Sequence, residues 1–185
     1  MFASARNMTK LKDVQQAGIE AVQLDTLSDK SIAACVSRIE VLTAGSGNDN
    51  SGKDSLDALL NTADAGYPMP LMDIEIDKAR QLFELNVWSL IKVSRAFLPL
   101  LTNSPHVPKD EALLINRTSV SGLNAGTGPF AGSYNMSKAA ASSMTGTLRR
   151  ELQSFGIRVI NLVTSAVQSN FYDNAGAPVL PANPL

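Results

Sequence analysis

Short apolar runs alternate along the chain with stretches whose apolar positions recur at helical spacing. Residues 1–5, 19–24, 56–60, 111–116 and 156–163 read as strands. They are near-continuously apolar rather than alternating, which predicts a parallel sheet covered on both faces. Helices fit between them. Ser28 is a suitable N-cap for a helix to about residue 42. Asp77 caps a second, running to about residue 98 with Leu82, Phe83, Val87, Leu90, Ile91 and Phe97 mostly on one side and Pro99 limiting it. A third spans 132–155, where Met136, Ala140, Met144, Leu148 and Leu152 repeat every four residues and Gly156 supplies the stop. These stripes read as core or subunit contact. The polar stretch 45–52 reads as a loop. The alternation predicts an open α/β fold with right-handed crossovers, whose ligands bind beyond the carboxyl ends of the strands. Arg6, Asp25, Asn61, Ser119 and the stretch after Val163 stand at those ends.

Composition removes competing functions. A chain of 185 residues is long enough for one ordinary core. Its net charge of -1 leaves no electrostatic footprint for nucleic acid or an anionic membrane. One cysteine, Cys35, excludes a disulfide framework and thiolate zinc clusters. One histidine, His106, excludes two-histidine metal sites and leaves any Ser-His-Asp hydrolase dependent on a residue in an apparent connecting loop. No metal site is expected. No apolar run has the length of a membrane span and no opening segment has a signal-peptide layout, so a soluble cytoplasmic protein is expected.

The sharpest chemical feature is Tyr134-Asn135-Met136-Ser137-Lys138. Four residues along a helix place the phenol and the ammonium on one face. A free tyrosine has a pKa of about 10, and a neighbouring ammonium lowers it toward a working range. Ser119 follows a predicted strand, and the Tyr134 helix follows a Gly-rich turn. Asn86 sits inside an otherwise apolar helix, where asparagine is a mediocre choice. Strand, serine, turn, then Tyr-x-x-x-Lys on a helix resembles the short-chain dehydrogenase/reductase family.

The resemblance runs from Phe2 to about Asn174. It implies a Rossmann-like doubly wound parallel sheet in a single domain and an NAD(P)H-dependent carbonyl reductase. It also implies roles. Ser119 would hydrogen-bond the substrate carbonyl, with Ser121 as its rival. Ser119 is preferred because it keeps the Asn-x-x-Ser-x-x-Gly spacing from Asn116 to Gly122. Tyr134 would be the general acid, and Lys138 would lower its pKa and hold the nicotinamide ribose. Asn86 would hold a water in the proton relay. Arg6 would meet the 2'-phosphate of NADPH, a guanidinium fork against a dianion. Asp25 would take the adenine amino group, and Asn61 and Ser169 would complete the cofactor contacts. Within the family, Phe2-Ala3-Ser4-Ala5-Arg6, Ala65-Gly66-Tyr67-Pro68-Met69-Pro70-Leu71, Leu85-Asn86-Val87-Trp88-Ser89 and Val167-Gln168-Ser169-Asn170-Phe171 resemble NADPH-dependent 1-acyldihydroxyacetone-phosphate reductases. That likeness implies a lipid-like ketone substrate, reduced to lysophosphatidate. It also implies association with the endoplasmic reticulum or lipid droplets, and a homo-oligomer formed through the Asn86 and Tyr134 helices.

Several positions depart from the family pattern. Asn61-Thr62-Ala63-Asp64 stands in place of Asn-Asn-Ala-Gly, so Asp64 adds a charge where glycine lets the backbone pass close to the cofactor. Arg117 occupies a usually apolar place, and Thr164 to Ser169 replaces a Pro-Gly turn. The spacing from Ser119 to Tyr134 is about two residues longer than usual. Against the family pattern, the sequence as given is expected to lack the first strand with its Gly-rich phosphate-binding turn and the C-terminal elements. In a sheet ordered 3-2-1-4-5-6 the first strand is central. Its absence is expected either to leave edges unpaired on both sides of a gap or to force the halves together in altered register. The alternative is a non-catalytic relative or a fragment without cofactor binding. The two Asn-x-Ser/Thr triplets, at Asn116 and Asn135, read as chance.

Overall fold

The computed structural model describes residues 1–44, 55–104, 112–123 and 128–177. The polar loop at 45–52, His106 and most of the Gly-rich turn before Tyr134 lie outside them. Among the described residues five strands and six helices follow one another: β1 (Phe2–Ala5), α1 (Lys12–Gln16), β2 (Glu20–Gln23), α2 (Asp29–Thr43), β3 (Ala58–Asn61), α3 (Ile76–Phe83), α4 (Ser89–Thr102), β4 (Ala112–Ser119), α5 (Gly132–Glu151), β5 (Ile157–Thr164) and α6 (Phe171–Ala175).

All strand pairings are parallel, in two sheets ordered β1-β2 and β3-β4-β5. Of the two arrangements expected without a central strand, unpaired edges prevail: among the described residues β1 pairs only with β2, and β3 only with β4. Apolar packing rather than a ladder spans the interval. Val22 of β2, Ile32, Cys35 and Ile39 of α2, and Val93, Phe97 and Leu100 of α4 form one buried cluster, with Phe2 and Leu59 against it. A second cluster, around Leu101, Ala112, Leu114, Leu152, Ile157 and Val159, continues the first across the same face of the three-stranded sheet, with Leu59 packed against both. The opposite face leaves Leu60 and Leu162 51% and 41% exposed, so among the described residues the sheet is not covered on both faces as the apolar runs predict.

Buried polar side chains fix register at the carboxyl ends of the strands. Asn61 and Asn116 are direct partners in the β3-β4 ladder. Asn61 Nδ2 donates to Asn116 Oδ1 (2.9 Å) and Ser94 Oγ (3.1 Å), and Asn116 Nδ2 donates to Thr145 Oγ1 (3.1 Å). This chain of bonds runs from α4 across two strands to α5. A slip of one residue would strand several buried polar groups, each worth about 1–3 kcal/mol. Asn116 is fully buried, so its triplet offers no accessible glycan acceptor.

Some helix boundaries differ from the sequence pattern. Ser28 does cap α2, its side chain accepting from Ser31 N, and Gly156 ends the α5 region in the left-handed conformation (φ 74°). Asp77, however, is not an N-cap. That place falls to Glu75, which makes no side-chain cap bond, while Asp77 pairs with Arg80 within the first turn. Pro99 does not limit its helix either, since α4 runs on to Thr102. A proline inside a helix costs about 3 kcal/mol. Continuing buries Leu100 and Leu101, 2% and 1% exposed, and each such burial returns about 1.5–3 kcal/mol. The helical repeat on α5 reaches the core toward its end, at Leu148 and Leu152, while Met136 is 45% exposed. The face that α5 buries is small and polar instead: Ser133, Ser137, Lys138, Ala141 and Thr145.

Candidate active site

Ser119 is the last residue of β4 rather than the first beyond it, and it is 8% exposed. Its Oγ accepts from Ser121 N (3.1 Å), starting the tight turn Val120–Gly122. Gly122 then sets that turn directly on the backbone of α5. A Cβ at Gly122 would fall 2.6 Å from Lys138 C and 2.8 Å from Ala139 N. The sequence therefore docks the serine turn at the lysine position through a glycine, which is the physical content of the Asn116-to-Gly122 spacing. Ser121 is half-buried and belongs to the turn itself.

Tyr134 and Lys138 stand one turn apart on α5, with Lys138 Nζ 5.7 Å from the centre of the phenol ring. Phe171 of α6 packs on the same Tyr134 ring, centroid to centroid 5.3 Å. Lys138 is only 2% exposed. Its ammonium donates to Arg117 O (3.3 Å) and pairs with Asp64 Oδ2 (2.9 Å). Burial pulls its pKa below the usual lysine value; the Asp64 carboxylate opposes that pull and the Arg117 guanidinium adds to it.

Asn86 lies in a π-helical turn, Glu84–Trp88, between α3 and α4. Such one-turn expansions recur at functional sites. Its side chain is a clasp: Oδ1 accepts from Ala65 N (3.0 Å), and Nδ2 donates to Ala65 O (2.9 Å) and Ser137 Oγ (3.0 Å). Asn86 thus ties the strand-end segment beside Asp64 to the residue preceding Lys138. Asn61 turns its side chain into the buried network described above, so its effect is to fix where Thr62 to Asp64 begin.

Arg6 and Asp25 follow β1 and β2, the two strands of the smaller sheet. Arg6 is exposed. Asp25 Oδ1 accepts from Leu27 N, shaping the turn into α2. Ser169 is exposed, and its Oγ accepts from Phe171 N (3.4 Å) at the start of α6. The structure therefore gathers Asn86, Ser119, Tyr134 and Lys138 around one end of α5, with Arg6 and Asp25 at the carboxyl ends of the neighbouring sheet. Two contributors, Asp64 and Arg117, were visible in the sequence only as separate departures. They are joined by an ion pair between Arg117 Nη2 and Asp64 Oδ1 (2.5 Å).

Parallel strands with polar and titratable groups collected at their carboxyl ends define a Rossmann-like α/β protein. Comparison with known proteins makes this specific: the short chain dehydrogenase family matches residues 3–178, and the chain belongs to that family. It is 37% identical over 174 residues to a short-chain dehydrogenase/reductase of Pestalotiopsis microspora, covering 94% of this chain and 51% of that protein. It is 27% identical over 171 residues to the NADPH-dependent 1-acyldihydroxyacetone phosphate reductase of Schizosaccharomyces pombe, covering 91% and 51%. Its fold matches the NADPH-bound carbonyl reductase from chicken fatty liver with a TM-score of 0.80 at 21% identity, covering 97% of this chain and 74% of that one. The chain spans about half the length of the curated relatives it matches. Among the described residues no helix is long and apolar enough to cross a membrane.

The residues present fit a nicotinamide dinucleotide at its two ends. An ammonium has three N–H bonds, and the two contacts of Lys138 described above use two of them. The third suits a ribose hydroxyl. Arg6 and Asp25 suit the adenosine end. The middle is less well provided, because no Gly-rich turn of the phosphate-binding type occurs among the described residues.

Proposed function

We propose that this chain carries the catalytic half of an NADPH-dependent oxidoreductase that reduces a ketone to an alcohol. One observation supports the reading above all: a phenol and a buried ammonium one turn apart, with a serine at a strand end whose turn is packed on that same lysine. The hydride is supplied by the reduced nicotinamide when bound. Ser119 donates its hydroxyl proton in a hydrogen bond to the substrate carbonyl oxygen. Tyr134 gives that oxygen its proton as the alcohol forms. Lys138 favours the resulting phenolate through its charge. Asn86 keeps the Ala65 backbone and Ser137 in place, so the lysine meets the phenol in one geometry.

Arg6 supports NADPH over NADH, since a freely exposed guanidinium just past β1 suits a phosphate dianion. Likeness to the fission-yeast reductase supports 1-acyldihydroxyacetone phosphate as substrate; reduction of its ketone would give lysophosphatidate, and we propose the endoplasmic reticulum or lipid droplets as the site of action. We further propose homo-oligomerisation through the Asn86 and Tyr134 helices.

Titration of NADPH fluorescence against the 185-residue chain tests the cofactor assignment. Saturable binding, stronger than that of NADH and weakened by Arg6→Ala, is expected. Absence of saturable binding would favour a non-catalytic family member, a reading to which the Asp64–Lys138 ion pair lends some support.

A further inference from the structure

Asp64 and Arg117 stand 53 positions apart in the chain, and each departs from the family pattern. In the structure they meet, and both reach Lys138. Asp64 holds the lysine ammonium through Oδ2 and the arginine guanidinium through Oδ1. Arg117 holds the lysine ammonium through its carbonyl oxygen and donates from Nη2 to Thr62 O (2.9 Å) as well. The Asp64 side chain is 8% exposed, so solvent screens its charge only weakly.

Charge arithmetic follows from this geometry. A lone buried Lys138 presents one positive charge to Tyr134. Asp64 cancels it, and Arg117 restores it. Charged groups on the other elements around α5 are either paired away from Tyr134 or exposed to solvent. Lys78 pairs with Glu75, Arg80 with Asp77, and Lys92 with Glu84, all at the surface. Arg149 donates to Val159 O toward the far end of α5. Arg158, near the start of β5, and Asp173 on α6 are exposed.

We propose that Arg117 is a positioning residue for the proton transfer: by pairing with Asp64 it restores the single net positive charge that Lys138 alone would present to Tyr134. Asp64 and Arg117 are then one unit, and either alone disturbs the phenol in a direction set by sign. This rests on the reading of Tyr134 as the general acid.

The test is a pH titration of Tyr134 by NMR of Cζ-labelled tyrosine in the full chain, without cofactor or substrate. The Tyr134 signal is assigned by its loss in Tyr134→Phe. Arg117→Met leaves a net charge of zero and is expected to raise the Tyr134 midpoint by about one pH unit. Asp64→Asn leaves two positive charges and is expected to lower it by about as much. The double variant Asp64→Asn/Arg117→Met returns to one and is expected to titrate close to the parent. Should Asp64→Asn not fold, the step from Arg117→Met to the double variant measures the same Asp64 charge. An unmoved Tyr134 in Arg117→Met, or a double variant that stays with Arg117→Met, would overturn the proposal. Neither result bears on whether ketone reduction depends on Tyr134, which Tyr134→Phe turnover decides separately.

Discussion

Replacing Gly122 by alanine tests how the serine turn is held on the lysine helix. The new Cβ would lie 2.6 Å from Lys138 C, 2.7 Å from Lys138 O and 2.8 Å from Ala139 N. These are backbone atoms inside a twenty-residue helix and cannot rotate aside. Ordinary contact begins at 3.4 Å, so the turn and α5 must separate by about 0.8 Å, from 3.4 less 2.6. Forced separation in a packed interior costs about 1–3 kcal/mol. For a chain of this size that is a fall in Tm of about 2–12 °C. The same displacement moves Ser119 relative to Tyr134, and a misplacement near 1 Å costs about 100-fold in rate. Gly146→Ala is the control. It lies on the same helix with nothing within 4 Å of its Cβ, and alanine there is expected to add about 0.5–1 kcal/mol of helix propensity. Thermal unfolding followed by circular dichroism reads both variants, and ketone-dependent NADPH oxidation reads the rate. A Gly122→Ala chain that melts at or above the parent temperature would refute the tight docking of turn on helix.

Cys35 is 2% exposed, and burial pushes its thiol up to about 11 from 9.0. Folding therefore favours the protonated thiol. That stability is fully present below pH 9 and is lost as pH rises toward 11. The loss is about 2–3 kcal/mol. Urea unfolding at several alkaline pH values is expected to show this slope in the parent and not in Cys35→Ala; equal slopes would contradict it. Sedimentation should show an oligomer that weakens on Trp88→Glu, because Trp88 is 49% exposed on the Asn86 helix. A monomer at every concentration would remove that interface.

The strand positions were legible as near-continuous apolar runs, as at Leu113, Leu114 and Ile115, but the covering of both faces that such runs predict is not found among the described residues: burial along β4 alternates, and Leu60 and Leu162 on the neighbouring strands are 51% and 41% exposed. Tyr134 and Lys138 were legible because their contact is local, one helical turn. The docking of the serine turn was half-legible: Gly122 appeared as a spacing, while the backbone atoms it meets belong to a helix packed from elsewhere. The Asp64–Arg117 pair was not legible. Each charge alone reads as a departure, and only the pairing of β3 with β4 in register, Asn61 beside Asn116, carries Asp64 and Arg117 to one place. Pro99 misled for a related reason. A local rule against proline in helices was outweighed by burial of Leu100 and Leu101, a tertiary gain invisible in the local pattern. The clasp made by Asn86 was hinted at by a polar residue in an apolar helix, but its partner Ala65 is a backbone unit with no signature of its own.

The central claim is that Tyr134 supplies the proton for ketone reduction. It is tested most directly by ketone-dependent oxidation of NADPH, comparing the parent chain with Tyr134→Phe under conditions where both bind the cofactor. The expected result is turnover in the parent, loss of nearly all of it in Tyr134→Phe, and NADPH affinity largely unchanged between the two. Turnover retained by Tyr134→Phe would contradict the assignment.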